Sequence, residues 1–397
     1  MATNDGGFIG QDGLNAPDSP TGVSATAGDT QATISFTAPS DVGGSAITGY
    51  RVQSNDGIGA SGSSSPITVT GLTNGTSYTF NVWAINASGY SAPSDASGSV
   101  TPVSTYGTGV AHLGGGYTTT YSNQIITKSF ESSGTTSDFG DLTLARQALG
   151  ALASSTRGVW GGGTTGSASN VMDYVTLASA GNATDFGDLN TSAYWKGGLS
   201  NDTRGLFWGG PNTNSNYIDY ITIASTGNAS DFGDITMQYA AGSPGFGSTT
   251  RGILPIGVSS NGYDSVIEYV AYATTGNSVD FGDMTVAREK GANGSSSTRG
   301  LMAMGNASAG DSDVIDYITI ASTGNATDFG DMTPARGNYP AAASNSTALM
   351  ACGGDSPNVV STNIVLIATT GNAVDWGDLT TSVGGWAGCS GSHGGIA

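Results

Sequence analysis

The chain has 397 residues, 64 of them glycine, and carries 11 basic against 30 acidic residues, for a formal net charge of −19. Charged residues make up only 10% of the chain, against about 25% in an ordinary globular domain, which argues against helical bundles and coiled coils. The excess of acid excludes nucleic-acid binding through a basic patch, while 37% hydrophobic residues supply enough material for a core. Small residues, regularly spaced aromatics and glycine-rich turns together predict an all-β protein.

The N-terminal segment predicts neither secretion nor membrane insertion. Residues 1–16 are polar and glycine-rich, with no basic stretch followed by an apolar one, so no signal peptide is expected. No stretch reaches the ~18 apolar residues that a membrane helix needs, and two cysteines cannot form a disulfide framework. We therefore expect a chain made and folded in a cytoplasm, with residues 1–16 as an N-terminal arm that attaches it to a partner.

Residues 17–103 alternate strand-like runs with turn clusters, and seven short strands in about 90 residues suggest a β-sandwich. The motifs at 20–23, 47–50 and 86–94, with Leu72 followed by Tyr78, resemble those of a fibronectin type III module. The resemblance implies that the Tyr78 hydroxyl bonds to the backbone upstream of it. It also implies a spacer or adhesive module rather than an enzyme.

An internal repeat fills residues 104–397 and decides the predicted fold. The motif Asp-aromatic-Gly-Asp recurs at spacings of 46 to 49 residues, and each repeat contains four strand-sized segments. A four-stranded unit of about 40–50 residues is typical of a propeller blade. The copies of the motif lie at residues 138–141, 185–188, 231–234, 280–283, 328–331 and 375–378.

The repeat resembles a kelch repeat, except that the kelch tryptophan of the fourth strand is phenylalanine in five copies and is kept only as Trp376. The resemblance implies a six-bladed kelch-like β-propeller, residues 104–397, after the fibronectin-like sandwich. The repeat region begins in a second strand, near residues 108–115, and ends just past a first strand, near residues 384–392. We expect these two segments to pair, because closure removes the open edges of the sheets.

The repeated polar residues allow both a functional and a structural interpretation. The paired carboxylates suit Ca²⁺ and resemble the Asp-box turn of sialidases, but their presence in every repeat favours aspartates that cap tight turns. The arginines of the Thr-Arg-Gly motif, from Arg157 to Arg299, are expected to pair with these aspartates on one rim. No metal or other cofactor is predicted.

The candidate ligand site lies on the opposite rim, where the connections between second and third strands differ from repeat to repeat. Tyrosine rings stack on sugars, and charged side chains bond hydroxyls or acidic groups. The arginines that open the first strands belong to the same rim, with bonding inside each blade as the alternative. For the variable connections, the alternative is tolerated loop drift. The candidate residues are Tyr117, Tyr121, Tyr217, Tyr263, Asp264, Arg146, Arg288 and Arg336.

The residues that could catalyse a reaction are few. His112 and His393 are the only histidines, Cys352 and Cys389 the only cysteines, and the chain has three glutamates. They match neither the Cys–Tyr and histidine set of a kelch oxidase nor the Glu-activated tyrosine and arginine cluster of a sialidase. We therefore predict a non-enzymatic protein without catalytic residues.

The segment at 315–331 and the Gly/Ser/Thr-rich, lysine-poor composition resemble repeats of marine bacteriophage structural proteins. The resemblance implies a virion protein whose arm binds other virion proteins and whose propeller is displayed as a tail or capsid fibre that binds a host-surface glycan. This virion role is compatible with a homo-oligomer of the chain in the particle. One alternative is a decoration protein without a receptor role. Another is a secreted bacterial carbohydrate-binding or carbohydrate-active protein, against which the missing signal peptide and the few histidines and glutamates argue.

Overall fold

The computed structural model describes residues 15–210, 216–237, 243–259, 262–337, 340–354, 359–380 and 384–396. The chain divides into two compact units, Met1–Thr105 and Tyr106–Ala397. Within the described residues every regular element is a β-strand, so the predicted all-β class is confirmed. No helix that could span a membrane is found in this part of the chain. Residues 1–14 of the predicted arm lie outside the described residues, and the arm stays a prediction.

The first unit is a sandwich of two antiparallel sheets, one of order β1-β2-β5 and one of order β4-β3-β6-β7. Alternating side chains meet between the sheets, as the sequence predicts: Ile34 with Phe36 on one strand, and Phe80 with Val82 on another, are all buried. The strands are β1 (Thr21–Gly28), β2 (Gln31–Thr37), β3 (Gly49–Ser54), β4 (Gly59–Gly62), β5 (Ile67–Thr70), β6 (Phe80–Asn86) and β7 (Gly89–Tyr90).

Two details of this unit follow directly from its sequence. The Tyr78 hydroxyl accepts the backbone N–H of Thr73 at 3.0 Å, which confirms the expected corner. After β7, three serines spaced three residues apart bind β6 through both their amide and their hydroxyl, a period typical of extended polyproline-like chain. The pairs are Ser91 with Ala84, Ser94 with Val82 and Ser97 with Phe80.

The second unit consists of six four-stranded antiparallel sheets, which we number I to VI along the chain. Sheet I consists of β8 (Val110–Tyr117), β9 (Gln124–Ser129), β10 (Ser137–Asp141) and the C-terminal strand β36 (Gly384–Ser390). Sheet II consists of β11 (Gly150–Ala153), β12 (Arg157–Gly161), β13 (Val171–Thr176) and β14 (Thr184–Asp188). Sheet III consists of β15 (Gly197–Ser200), β16 (Arg204–Trp208), β17 (Tyr217–Thr222) and β18 (Ser230–Asp234).

Sheets IV to VI repeat the plan, with short extra strands in the connections of IV and V. Sheet IV consists of β19 (Phe246–Gly247), β20 (Arg251–Pro255), β23 (Val266–Ala271) and β24 (Val279–Asp283), and β21 (Val258–Ser259) pairs with β22 (Gly262–Tyr263). Sheet V consists of β26 (Ala292–Ser295), β27 (Arg299–Ala303), β30 (Val314–Thr319) and β31 (Thr327–Asp331), and β25 (Arg288–Glu289), β28 (Asn306–Ala307) and β29 (Gly310–Asp311) pair separately. Sheet VI consists of β32 (Ala341–Ser344), β33 (Ala348–Cys352), β34 (Ser361–Leu366) and β35 (Val374–Asp378).

The two ends of the repeat region pair in sheet I, as the sequence predicts. Strand β36 runs antiparallel to β8, with Trp386 opposite Gly115 and Ser390 opposite Ala111. Sheet I therefore takes its first strand from the C-terminal end of the chain and its other three strands from the beginning of the repeat region.

Small residues let the first strands of neighbouring sheets approach closely. A Cβ at Gly198 of sheet III would lie 2.2 Å from the Ala151 carbonyl oxygen of sheet II, and one at Gly388 of sheet I would lie 2.4 Å from that of Ala342 in sheet VI. The first strands contact one another in sequence from sheet II to sheet VI, then β36, and β36 in turn contacts the first strand of sheet II.

The Asp-aromatic-Gly-Asp motif forms the fourth strand of each sheet rather than a tight turn. In sheet II, Gly187 lies opposite Met172 and Asp185 opposite Asp173, so Phe186 is the extra residue of a β-bulge. The bulge turns the phenylalanine ring into the core, where it is 2% exposed. The expectation that these aspartates cap turns is therefore wrong for the motifs of sheets I to V, whereas in sheet VI the Asp375 Oδ1 accepts the Gly377 amide at 3.2 Å.

The fourth strand of each of sheets I to V is bonded to the connection between third and fourth strands of the next sheet. From sheet I to sheet VI, a Gly-Asn pair of the following repeat donates its glycine amide to the aromatic residue's carbonyl, and its asparagine Oδ1 accepts the amide of the motif's second aspartate. The motif glycine allows this contact: at Gly233, with φ of 147°, a Cβ would lie 2.4 Å from the Gly276 carbonyl oxygen. The five Gly-Asn pairs begin at Gly181, Gly227, Gly276, Gly324 and Gly371.

Candidate functional site

The four candidate tyrosines all lie in or beside connections between second and third strands, at one end of their sheets. Tyr117 is 39% exposed, Tyr217 43% and Tyr263 41%, while Tyr121 is half-buried. Tyr117 ends β8 and pairs with Tyr121 across the turn, with ring centroids 5.3 Å apart in an edge-to-face arrangement. The structure thus places three exposed phenol rings and one supporting ring on the predicted connections of sheets I, III and IV.

Asp264 is half-buried and caps the start of a strand. Its Oδ1 accepts the amides of Ser265 at 2.9 Å and Val266 at 3.3 Å, and its own amide bonds to the Gly257 carbonyl. This carboxylate orders the connection that carries Tyr263. Residues 211–215, 260, 261 and 355–358 of the variable connections lie outside the described residues.

The three candidate arginines are buried and do not face a ligand, which corrects that part of the prediction. Arg146, Arg288 and Arg336 are each 3% exposed or less. Arg146 forms an ion pair with Asp173 at 2.6 Å, and its guanidinium also donates to the carbonyls of Gly162 and Leu144. Its bonds stay within sheet II and the chain leading into it, so the alternative of bonding inside the repeat is the one observed.

The other two arginines repeat this arrangement with one change. Arg288 pairs with Asp316 at 2.9 Å in sheet V. In sheet VI the acid is replaced by Asn363, whose Oδ1 accepts from Arg336 at 2.5 Å. Most donors of these buried guanidinium groups therefore have acceptors inside their own repeat, whereas the buried Nε of Arg336 has none among the described residues.

The acidic partners on the third strands were not recognised in the sequence. In sheet III, Asp219 faces Lys196 at 3.9 Å, and burial raises the pKa of this carboxyl and lowers that of the lysine. In sheet IV the position is Glu268, which accepts the hydroxyls of Thr236 and Ser278. A single acid inside an otherwise apolar strand, repeated at the same position, was the signal that could have revealed them.

The arginines of the Thr-Arg-Gly motif do not pair with the motif aspartates, so that expectation is wrong. Each guanidinium lies over the tyrosine ring of its own third strand, at 4.4 to 4.8 Å from the ring centroid, in a cation–π contact. Each also donates to a carbonyl of the next sheet, as Arg157 does to Ile223 at 3.0 Å. The pairs are Arg157 with Tyr174, Arg204 with Tyr220, Arg251 with Tyr269 and Arg299 with Tyr317.

The histidines and cysteines are packed into the second unit. His112 lies edge-on to the Phe139 ring at 4.8 Å, and burial lowers its pKa to about 4. Burial also raises the pKa of the Cys352 thiol to about 11 and raises that of Cys389 further. His393 bonds to sheets II and III in the C-terminal segment. Among the described residues, no three His, Cys, Asp or Glu side chains come together as a metal site.

The comparisons with known proteins identify a family for part of the first unit. The family model described as fibronectin type III domain matches residues 18–99. Among solved structures, domains A168–A170 of titin are similar at 30% identity and a TM-score of 0.22, over 22% of this chain and 32% of that chain. The twitchin kinase region from C. elegans is similar at 26% identity and a TM-score of 0.21, over 22% of this chain and 17% of that chain.

The chain thus spans about a third or less of the length of these two structures. No curated protein sequence matches it. The family match and the corner formed by Tyr78 agree on the same segment. Residues 18–99 are a fibronectin type III domain.

Proposed function

We propose that the six repeat sheets are the blades of a β-propeller that displays a ligand-binding rim. The cyclic order of contacts between first strands and the pairing of β36 with β8 support this arrangement. The repeated Gly-Asn junctions between consecutive sheets support it as well, because the same side-by-side packing recurs five times. The kelch-like character of the repeat is part of the same proposal.

The ligand we propose for this rim is a host-surface glycan. The observation that carries this is the set of exposed tyrosines at equivalent ends of sheets I, III and IV. A phenol ring stacks on the apolar face of a sugar and loses little rotamer freedom when it does so, while its hydroxyl bonds to sugar hydroxyls. In the Tyr117 turn the second ring, Tyr121, holds the first from the side, so that the exposed face is preorganised.

The role we propose for the whole chain is a non-enzymatic virion protein, displayed as a tail or capsid fibre. The fibronectin type III domain supports a spacer role, and the acidic, lysine-poor composition suits a protein carried at high copy number. A shallow aromatic site binds weakly, so many copies in one particle would supply avidity. The sequestering of the candidate arginines, both cysteines and His112 in the interior supports binding rather than catalysis.

The test compares tyrosine variants of the purified chain for binding to bacterial cells and to an array of bacterial surface polysaccharides. Tyr217→Ala and Tyr263→Ala together should weaken binding at least about tenfold, since each stacked ring is worth about 0.5–1.5 kcal/mol beyond its buried area. Tyr90→Ala is the matched control, because Tyr90 is 56% exposed but lies in the first unit. Equal binding by the double variant and the control would contradict a glycan site on this rim, and assembly into particles without host binding would favour a decoration role.

A further inference from the structure

The C-terminal segment, residues 391–396, follows β36 and has no counterpart in the other repeats. It contacts three other sheets through one side chain and its backbone: the Nε2 of His393 lies 3.0 Å from the Ala153 carbonyl of sheet II and 3.3 Å from the Ser200 hydroxyl of sheet III. The Gly394 amide donates to the Ser295 carbonyl of sheet V at 3.0 Å. One short segment thus ties together strands that are far apart in sequence.

Two glycines allow this segment to lie directly on the first strands. A Cβ at Gly394 would be 2.1 Å from the Ser296 carbonyl oxygen, and one at Gly395 would be 2.1 Å from that of Ser200. Both glycines are buried. A side chain at either position would push the segment away from these strands, because the segment is held there by direct packing of backbone against backbone. We call this position of the segment its seat.

Beneath the segment lies a small cavity of about 50 Å³, lined by the first strands of all six sheets and by His393. Such a space holds a few water molecules at most. His393 lines it together with Ser200 and Ser295, whose hydroxyls bridge neighbouring first strands.

The bonds of His393 fix its neutral tautomer. The Gly395 amide donates to Nδ1 at 3.1 Å, so Nδ1 carries no proton, and Nε2–H donates to the Ala153 carbonyl. The Ser200 hydroxyl donates to that same carbonyl at 2.6 Å. Ser200 and His393 are therefore not a nucleophile with its base, since the serine proton and the Nε2 proton both point at one oxygen.

We propose that residues 391–396 are a central latch that holds sheets II, III and V together and that opens when His393 gains a proton. A second ring proton must go to Nδ1, where it meets the Gly395 N–H and removes the bond that shapes the segment. Residues 391–396 then move away from the first strands, and solvent gains access to the cavity. This proposal is independent of the glycan-binding function.

The surroundings of His393 set the direction of the effect. Burial lowers its pKa, while the Asp202 carboxylate of the neighbouring sheet III connection acts in the opposite direction. The Cys389 thiol lining the same cavity is held neutral by a raised pKa. Because the seated histidine has the lower pKa, the latch is fully stable above the ordinary value of about 6.5 and loosens as the pH falls below it.

The test measures hydrogen exchange of the Gly394 and Gly395 amides in the full chain, corrected for the intrinsic rate at each pH. Between pH 7.5 and 5.5, protection of these amides should fall by up to about tenfold in the wild type, the limit for one proton taken up on opening. In His393→Gln, whose amide can donate and accept but does not titrate, protection should be independent of pH. His112 lies in β8 outside the latch, so its proton uptake affects global unfolding and not the local opening of residues 391–396.

A second variant keeps His393 but prevents the close packing of Gly395 on the Ser200 carbonyl. Gly395→Ala should abolish protection of the segment at every pH, whereas Gly98→Ala, where a Cβ meets nothing within 4 Å, is the matched control. Unchanged protection in Gly395→Ala would refute the seat of the latch. An identical pH dependence in the wild type and His393→Gln, or none in the wild type, would refute the role of the proton.

Discussion

Arg146→Met is the substitution that tests most directly how the repeat sheets are stabilised. Arg146 and Asp173 are both fully buried, and the arginine donates to several backbone carbonyls besides the carboxylate. The methionine fills the volume but leaves Asp173 with a single described donor, the Thr143 hydroxyl. Leaving one partner of a buried pair uncompensated costs about 3–5 kcal/mol, so we expect a loss of about 4 kcal/mol in the free energy of unfolding.

The second substitution in the cycle is Asp173→Leu. If the cost of Arg146→Met arises from the stranded carboxylate, the double variant should regain about 2 kcal/mol of the loss, because apolar side chains of similar volume replace buried pairs at little cost. The assay is urea unfolding at pH 7 followed by tryptophan fluorescence, since five of the six tryptophans lie in the second unit. Arg51→Met, at an exposed arginine of β3, is the control and should change stability by less than about 0.5 kcal/mol. A loss under 1 kcal/mol for Arg146→Met, or a double variant no more stable than the single one, would refute the reasoning.

Two further predictions concern the junctions between sheets and the response to acid. Gly233→Ala should destabilise the second unit by about 1–3 kcal/mol in the same urea assay, because the new methyl meets the Gly276 carbonyl, whereas Gly98→Ala should not. Protonation of His112, with a pKa of about 4 against 6.5 when unfolded, should remove up to about 3 kcal/mol as the pH falls from 6.5 to 4. The stability is present above 6.5 because the folded state favours the neutral ring. His112→Gln should lose the part of this dependence that His112 contributes, leaving that of His393, and a thermal midpoint equally sensitive to pH in the variant would contradict the assignment.

The strands and their order could be predicted from the sequence because the pattern of each strand occurs several times along the repeat region. The recurring motif places one fourth strand in each sheet, and the incomplete first and last repeats predict the pairing of β36 with β8. The corner formed by Tyr78 is a local contact over five residues, and it was predicted for the same reason that it forms: its partner is close in the chain.

The polar interior could not be predicted in this way. An arginine such as Arg146 suggests a surface in a linear sequence, and its burial depends on Asp173, a residue 27 positions away whose own burial depends on the arginine. The tilt of Arg157 onto Tyr174 and toward the next sheet likewise depends on a contact between sheets. The position of residues 391–396 depends on contacts with three sheets at once. This segment occurs only once in the chain, so no second copy was present from which its contacts could be predicted.

The junction between sheets VI and I differs from the other five in its chemistry. There Gly377 faces the Ser133 carbonyl instead of a Gly-Asn pair, and the Trp376 indole donates to the Ser129 carbonyl at 2.9 Å. The five Gly-Asn junctions share one set of contacts and do not distinguish one neighbour from another. The indole of Trp376 makes a contact that the phenylalanines of the other five copies cannot make, so the pairing of the two ends of the repeat region has a chemical label of its own.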